Sequence, residues 1–160
     1  MKKNKFFLLI IVLAMIDQIT KVFIILLKSK LPVTVINNVL EIVYYENRGI
    51  AFGIRAGTTQ LISLFTAVLL ASICVAIYKN YEKMNSKIIY GSILLLAGGL
   101  GNLLDRIFRL YVVDFIYVKA IDFPVFNFAD ICVVLGVITI IVGFILMDRR
   151  EKVEQNNSGK

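Results

Sequence analysis

Four long apolar runs organise the chain, at about Phe6 to Leu27, Leu61 to Tyr78, Ile88 to Leu104 and Ile131 to Met147. Each holds roughly 17 to 22 residues, which as a helix rising 1.5 Å per residue crosses a ~30 Å hydrocarbon core. The pattern predicts four transmembrane helices. Between the runs the chain changes character. Val33 to Ile36 and Val39 to Tyr45 are rich in β-branched residues and flank Asn37-Asn38, which predicts a hairpin. Tyr111 to Val118 repeats the flavour. Open sheet edges are not tolerated in lipid, so these strands are expected at the membrane surface. Tyr44, Tyr45, Tyr111 and Tyr117 then lie in the interfacial belt. The expected fold class is membrane all-α with a small β element: four transmembrane helices plus an extracytoplasmic interfacial β-platform. One domain is expected over residues 1–148, followed by a polar, frayed cytoplasmic tail at 149–160.

Composition agrees. The chain is 59% hydrophobic, above the near-half of a soluble domain. Its net charge of +7 would suggest nucleic acid in a soluble protein. Here the bases flank the spans, as positive-inside topology requires, and no nucleic-acid partner is expected. An even helix number puts both termini on one side, with Lys2, Lys3, Lys5, Lys79, Lys83, Lys87, Arg149, Arg150, Lys152 and Lys160. That side is expected to be cytoplasmic. The N-terminal lysines imitate a signal peptide. However, Asp17 and Lys21 interrupt the run, it is too long for an h-region, and no A-x-A site follows, so it reads as a retained helix.

Cys74 and Cys132 fall inside apolar runs and read as small core residues, not as a disulfide or metal site. The chain has no histidine, which excludes a Ser-His-Asp triad, a Cys-His pair and His-containing zinc sites. No metal and no cofactor are expected. Hydrolytic chemistry would rest on carboxylates, lysine or a hydroxyl.

The polar residues within and beside the runs are few. Asp17 and Lys21 are four apart on one helix face, in the favourable order for an ion pair. Charges inside a span face the bundle and mark function by default; a structural pair with Lys21 snorkelling outward is the equal alternative. Gly98-Gly99-Leu100-Gly101 reads as a close helix approach. Asn102 and Arg106 share a face, and Asp105 beside Arg106 reads singly as an interfacial ion pair. Asp114 is an isolated carboxylate between Val113 and Phe115, so it is not a solvated surface charge. Asp130 follows Asn127 where the fourth helix starts, and taken alone it also fits a helix-start acid. The topology collects Asn47, Asn102, Asp105, Arg106, Asp114, Asn127 and Asp130 at the outer surface, with Asp17 and Lys21 approaching from below. The cytoplasmic side carries only ordinary lysine-rich flanks.

Two aspartates in one partly dry site cannot both ionise easily, so the pair holds one proton near neutral pH. The ionised member can take a proton from water. The protonated member can hydrogen-bond a scissile carbonyl and then protonate the leaving amine.

Five motifs follow one another along the chain: Asp17-Gln18-Ile19-Thr20-Lys21, Asn47-Arg48-Gly49-Ile50-Ala51-Phe52-Gly53, Gly98 to Arg106, Val112-Val113-Asp114-Phe115-Ile116 and Phe126-Asn127-Phe128-Ala129-Asp130. In this order they resemble those of the lipoprotein signal peptidase (signal peptidase II) family of bacterial membrane aspartic peptidases. The resemblance implies a catalytic dyad of Asp114 and Asp130. It implies that Asn102, Arg106 and Asn127 hold the dyad and the substrate backbone, with Asp17, Lys21 and Asn47 as further site residues and Asp105 in support. The implied substrate is a diacylglyceryl-modified prolipoprotein, cut just before its lipidated cysteine, and the implied inhibitor is a cyclic peptide of the globomycin type. The implied setting is the bacterial cell membrane among its lipids, with a multi-pass monomer whose active site is at the extracytoplasmic face. Ile50, Tyr117 and a short stretch between the aspartates depart from the family pattern, at the rim of the site and not at the dyad. Two other readings compete. A small ion-coupled transporter would use Asp17 and line a path reaching both faces. A structural protein would tolerate Asn at Asp114 and Asp130.

Overall fold

The computed structural model describes residues 3–49 and 58–158. Ile50 to Gly53 of the motif that begins at Asn47 lie outside the described residues, as do Lys2 and Lys160. Four helices carry the chain: α1 (Lys3–Leu26), α2 (Thr58–Asn80), α3 (Ser86–Phe108) and α4 (Phe128–Ser158). Each has a stretch long and apolar enough to cross a membrane. The protein is thus a multi-pass membrane protein with a small sheet, as its apolar pattern predicts. The fourth helix runs on through the polar tail to Ser158, where fraying is expected from Asp148. Arg149-Arg150-Glu151-Lys152 are strong helix formers, so polarity alone does not end the helix.

The central element is α3: two thirds of its apolar stretch is buried (67%), against 6% for α2. It packs chiefly on α4, then on α1 and α2. Glycines set the α3–α4 distance. A Cβ at Gly91 would stand 2.8 Å from the Gly136 carbonyl oxygen, and one at Gly98 would collide with the Ala129 carbonyl. The obstacle is backbone in both cases, so the close-approach reading of these two glycines holds. Gly98→Ala is therefore expected to force the helices apart. Overpacking of about 1–3 kcal/mol outweighs the ~1 kcal/mol that alanine gains in helix propensity. Thermal unfolding in detergent would read a lowered midpoint.

Three antiparallel strands form one sheet in the order β1 (Val33–Ile36), β2 (Leu40–Asn47), β3 (Val112–Val118). Asn38 takes the turn between the first two at φ 57°, a left-handed conformation that asparagine tolerates. One irregularity matters for the site. Ile42 pairs with Ile116, yet Tyr45 pairs with Asp114, so Val43 and Tyr44 together face Phe115. This β-bulge shifts the register by one residue. Residues alternate faces along a strand and paired residues share a face. Asn47, paired with Val112, therefore comes to the face of Asp114. Without the bulge Glu46 would stand there instead. Beneath the sheet, Ile24, Val113 and Phe115 form a small buried cluster that seats β3 on the end of α1.

Candidate active site

Asp114 sits mid-strand in β3 and is 1% exposed. Burial pushes its carboxyl up to about 6, and the charge of Asp130 adds to this, while hydrogen bonds from Asn47 and Asn127 and the charge of Lys21 act the other way. Asn47 Nδ2 donates to Asp114 Oδ2 at 2.9 Å, and Asn127 Nδ2 donates to Asp114 Oδ1 at 2.6 Å.

Asp130 lies in the first turn of α4 and is half-buried. Its Oδ2 accepts from the Asn127 backbone N–H at 3.0 Å, and its own N–H donates to Asn127 Oδ1 at 3.0 Å. This is a reciprocal capping box, so the helix-start reading of Asp130 is correct. It is also incomplete, because the other oxygen accepts from Asn102 Nδ2 at 2.7 Å and turns Asp130 toward α3. Asn127 Nδ2 donates to Asn102 Oδ1 as well, at 3.1 Å. The two aspartates are thus joined through two carboxamides.

A second cluster lies beneath. Lys21, fully buried, reaches Asp17 Oδ2 at 2.9 Å, Asp105 Oδ2 at 3.1 Å and Asn102 Oδ1 at 2.9 Å. It does not snorkel: an ammonium with three satisfied N–H bonds gains nothing by leaving for water. Asp105 does not form the expected ion pair with Arg106. It is 0% exposed, and its carboxylate pairs with Lys21 and with Arg109, one helical turn on. Gly101 makes room for Asp17, whose Oδ2 a Cβ at that position would strike. Every described buried side-chain nitrogen and oxygen has a partner.

Eight of the nine candidate residues thus form one hydrogen-bonded network: Asp17, Lys21, Asn47, Asn102, Asp105, Asp114, Asn127 and Asp130. The ninth, Arg106, is half-buried beside it and bonds the Asn102 carbonyl at 3.3 Å. Sequence reasoning missed two members. Gln18 Nε2 donates to Asp17, to the Gly101 carbonyl and to Asp105, and its Oε1 accepts from Arg109. The four-residue spacing of Asp105 and Arg109 was the available signal for the second. Among the described residues no three acids or thiols are grouped to hold a metal ion. A groove of about 600 Å³ opens beside Asn47, lined by Tyr45, Arg48, Tyr117 and Phe123 among others.

The chain as a whole has known counterparts. Residues 9–146 match the family described as Signal peptidase (SPase) II. The chain is 39% identical to the lipoprotein signal peptidase of Clostridium acetobutylicum, over 86% of this chain and 91% of that one. It is 34% identical to the lipoprotein signal peptidase of Fusobacterium nucleatum, over 91% and 89%. A solved bacterial membrane enzyme superposes with a TM-score of 0.77 at 32% identity, covering 94% of this chain and 92% of its own.

Proposed function

The chain belongs to the signal peptidase II family, membrane proteases that process lipoproteins, and on that premise we propose that it is an aspartic endopeptidase working through Asp114 and Asp130. Its substrate is a diacylglyceryl-modified prolipoprotein, which it cuts just before the lipidated cysteine. The observation that carries this reading is the double role of Asn127. One amide touches the Asp114 carboxyl and closes a ring with Asp130, which holds the two acids as a pair.

The environments of the two acids suggest a division of labour. Asp130 sits at a helix N-terminus, where the macrodipole favours negative charge, and is half-exposed. It takes the proton from the attacking water. Asp114, buried, holds the pair's proton, hydrogen-bonds the scissile carbonyl and then protonates the leaving amine. The proton is a property of the pair, so the rate follows macroscopic pKa values. Asn47 and Arg106, at the rim, steady the peptide backbone, and the groove beside Asn47 receives the chain. Acyl chains keep the substrate in the bilayer at about 0.8 kcal/mol per buried CH₂ and bring its cleavage site to the level of the pair. Basic ends and four helices support cytoplasmic termini and an extracytoplasmic site. The enzyme acts as a monomer and is blocked by cyclic peptides of the globomycin type.

The test is cleavage by purified protein in lipid, with lipidated and unlipidated precursors side by side. Cleavage before the modified cysteine only, abolished by globomycin, is the expected result; equal cleavage of the unlipidated precursor would sink the substrate assignment. The pH profile follows from Asp114. Its raised pKa means the proton is held from the usual 3.8 up to about 6. Above that the pair loses its acid, so kcat/KM of the free enzyme should be bell-shaped with an alkaline limb beginning near there.

A further inference from the structure

Each aspartate of the pair is preceded in the chain by a residue whose backbone N–H is held by a buried carboxylate. Val113 donates to Asp105 Oδ2 at 3.0 Å, and Ala129 donates to Asp17 Oδ1 at 3.1 Å. The two carboxylates come from different helices, α3 and α1, and meet on one ammonium, Lys21 Nζ. The third N–H of that ammonium goes to Asn102 Oδ1, on the amide that binds Asp130. All three donors of Lys21 therefore lead, through one further side chain, to Val113, Ala129 and Asp130.

A pair placed only to stabilise a helix would give another picture. An i,i+4 ion pair that supports a helix lies on its surface, whereas Lys21 and Asp17 are 0% and 1% exposed. Buried ions are replaceable by apolar residues with little loss of stability, but removing one partner is severe. The cluster also balances its own charge, with Lys21 and Arg109 against Asp17 and Asp105. It therefore imposes geometry without adding a net charge under the pair.

We propose that Lys21 is a positioning residue: it clamps the Asp105 carboxylate that anchors β3 to the Asp17 carboxylate that anchors α4, and so fixes the separation of Asp114 and Asp130. This rests on the dyad reading above.

The test is the pH–rate profile of Lys21→Met in lipid, beside wild type and Asp114→Asn, on the same lipidated precursor. With the clamp gone, kcat falls by about 100-fold, the loss expected from a displacement of about 1 Å, while KM stays within about threefold. The bell also narrows, because carboxyls held further apart share their proton less unequally. Full kcat overturns the clamp. So does a bell of unchanged width with activity lost only in proportion to unfolded protein. Should Lys21→Met not fold, Asp17→Asn carries the test. Its amide keeps an oxygen for the Ala129 N–H, which Asp17 Oδ1 accepts, but turns an –NH₂ toward Lys21 where Oδ2 stood, so the same narrowing is expected and unchanged width overturns the proposal. Failure of the dyad itself looks different: Asp114→Asn stays active, or wild type shows no bell.

Discussion

Asp114→Asn is expected to be inactive and, above pH 6, more stable than the wild type. The loss of cleavage should reach about 10³-fold or more, since on the proposed mechanism the substitution removes a positioned general acid. The gain in stability follows from linkage. The folded-state pKa of Asp114 is raised to about 6 from 3.8. Between those values the folded protein binds more protons than the unfolded chain, so stability falls as pH rises through the window. Above about 6 the wild type carries the full cost of a buried charge, on the order of 3 kcal/mol, which a neutral amide avoids. Below about pH 4 both forms are neutral and the advantage vanishes. Melting curves at pH 7.5 and pH 4, read beside cleavage rates, would check both halves. A mutant less stable than wild type at pH 7.5 would mean that the lost hydrogen bonding outweighs the charge. Asp130→Asn should be as inactive. It should gain no stability, because Asp130 is half-exposed at a helix start that favours its charge.

The second large effect is expected at Asn127. Asn127→Asp keeps the size and shape of the side chain and reverses its chemistry. The Nδ2 that donates to Asp114 and Asn102 becomes an oxygen facing two acceptors. A third carboxylate then stands beside a pair that already holds only one charge comfortably. Cleavage should fall by about 10²-fold or more. Asn127→Ala should fall less steeply, since it adds no charge. If both variants lose activity equally, the bridge matters for packing alone.

The helices were legible because a membrane span has a composition that nothing else in the chain imitates. The strands were legible from Val33 to Ile36, Val39 to Tyr45 and Tyr111 to Val118, where β-branched residues flank turn residues. The gathering of the polar residues into one cluster followed from the helix order, since an even helix number and short loops leave few places for polar groups. The partners within it were not legible. Asp105 reads as the neighbour of Arg106, yet consecutive helix positions point about 100° apart, and the turn-related Arg109 and the distant Lys21 take its oxygens. Gln18 carries no charge and stands out only when four of its neighbours converge on it. Asp130 shows a different limit: one side chain serves as a helix cap with one oxygen and faces the site with the other.

The bulge in β2 has a consequence for how this chain tolerates change. Val43 and Tyr44 share a single partner, Phe115, so the strand carries one residue more than its neighbour. Deleting either would leave one residue opposite Phe115 and keep Tyr45, Glu46 and Asn47 on their present partners. Inserting one residue between Tyr44 and Glu46, with the bulge kept, would instead set Glu46 opposite Val112, on the face of Asp114, in place of Asn47. A carboxylate would then replace a donor beside the buried acid. The parity of the strand, odd against even, is therefore a functional quantity. It is invisible to any scan that exchanges side chains one at a time, and it makes a single-residue insertion between Tyr44 and Glu46 more damaging than a deletion at residues 43–44, which the bulge absorbs.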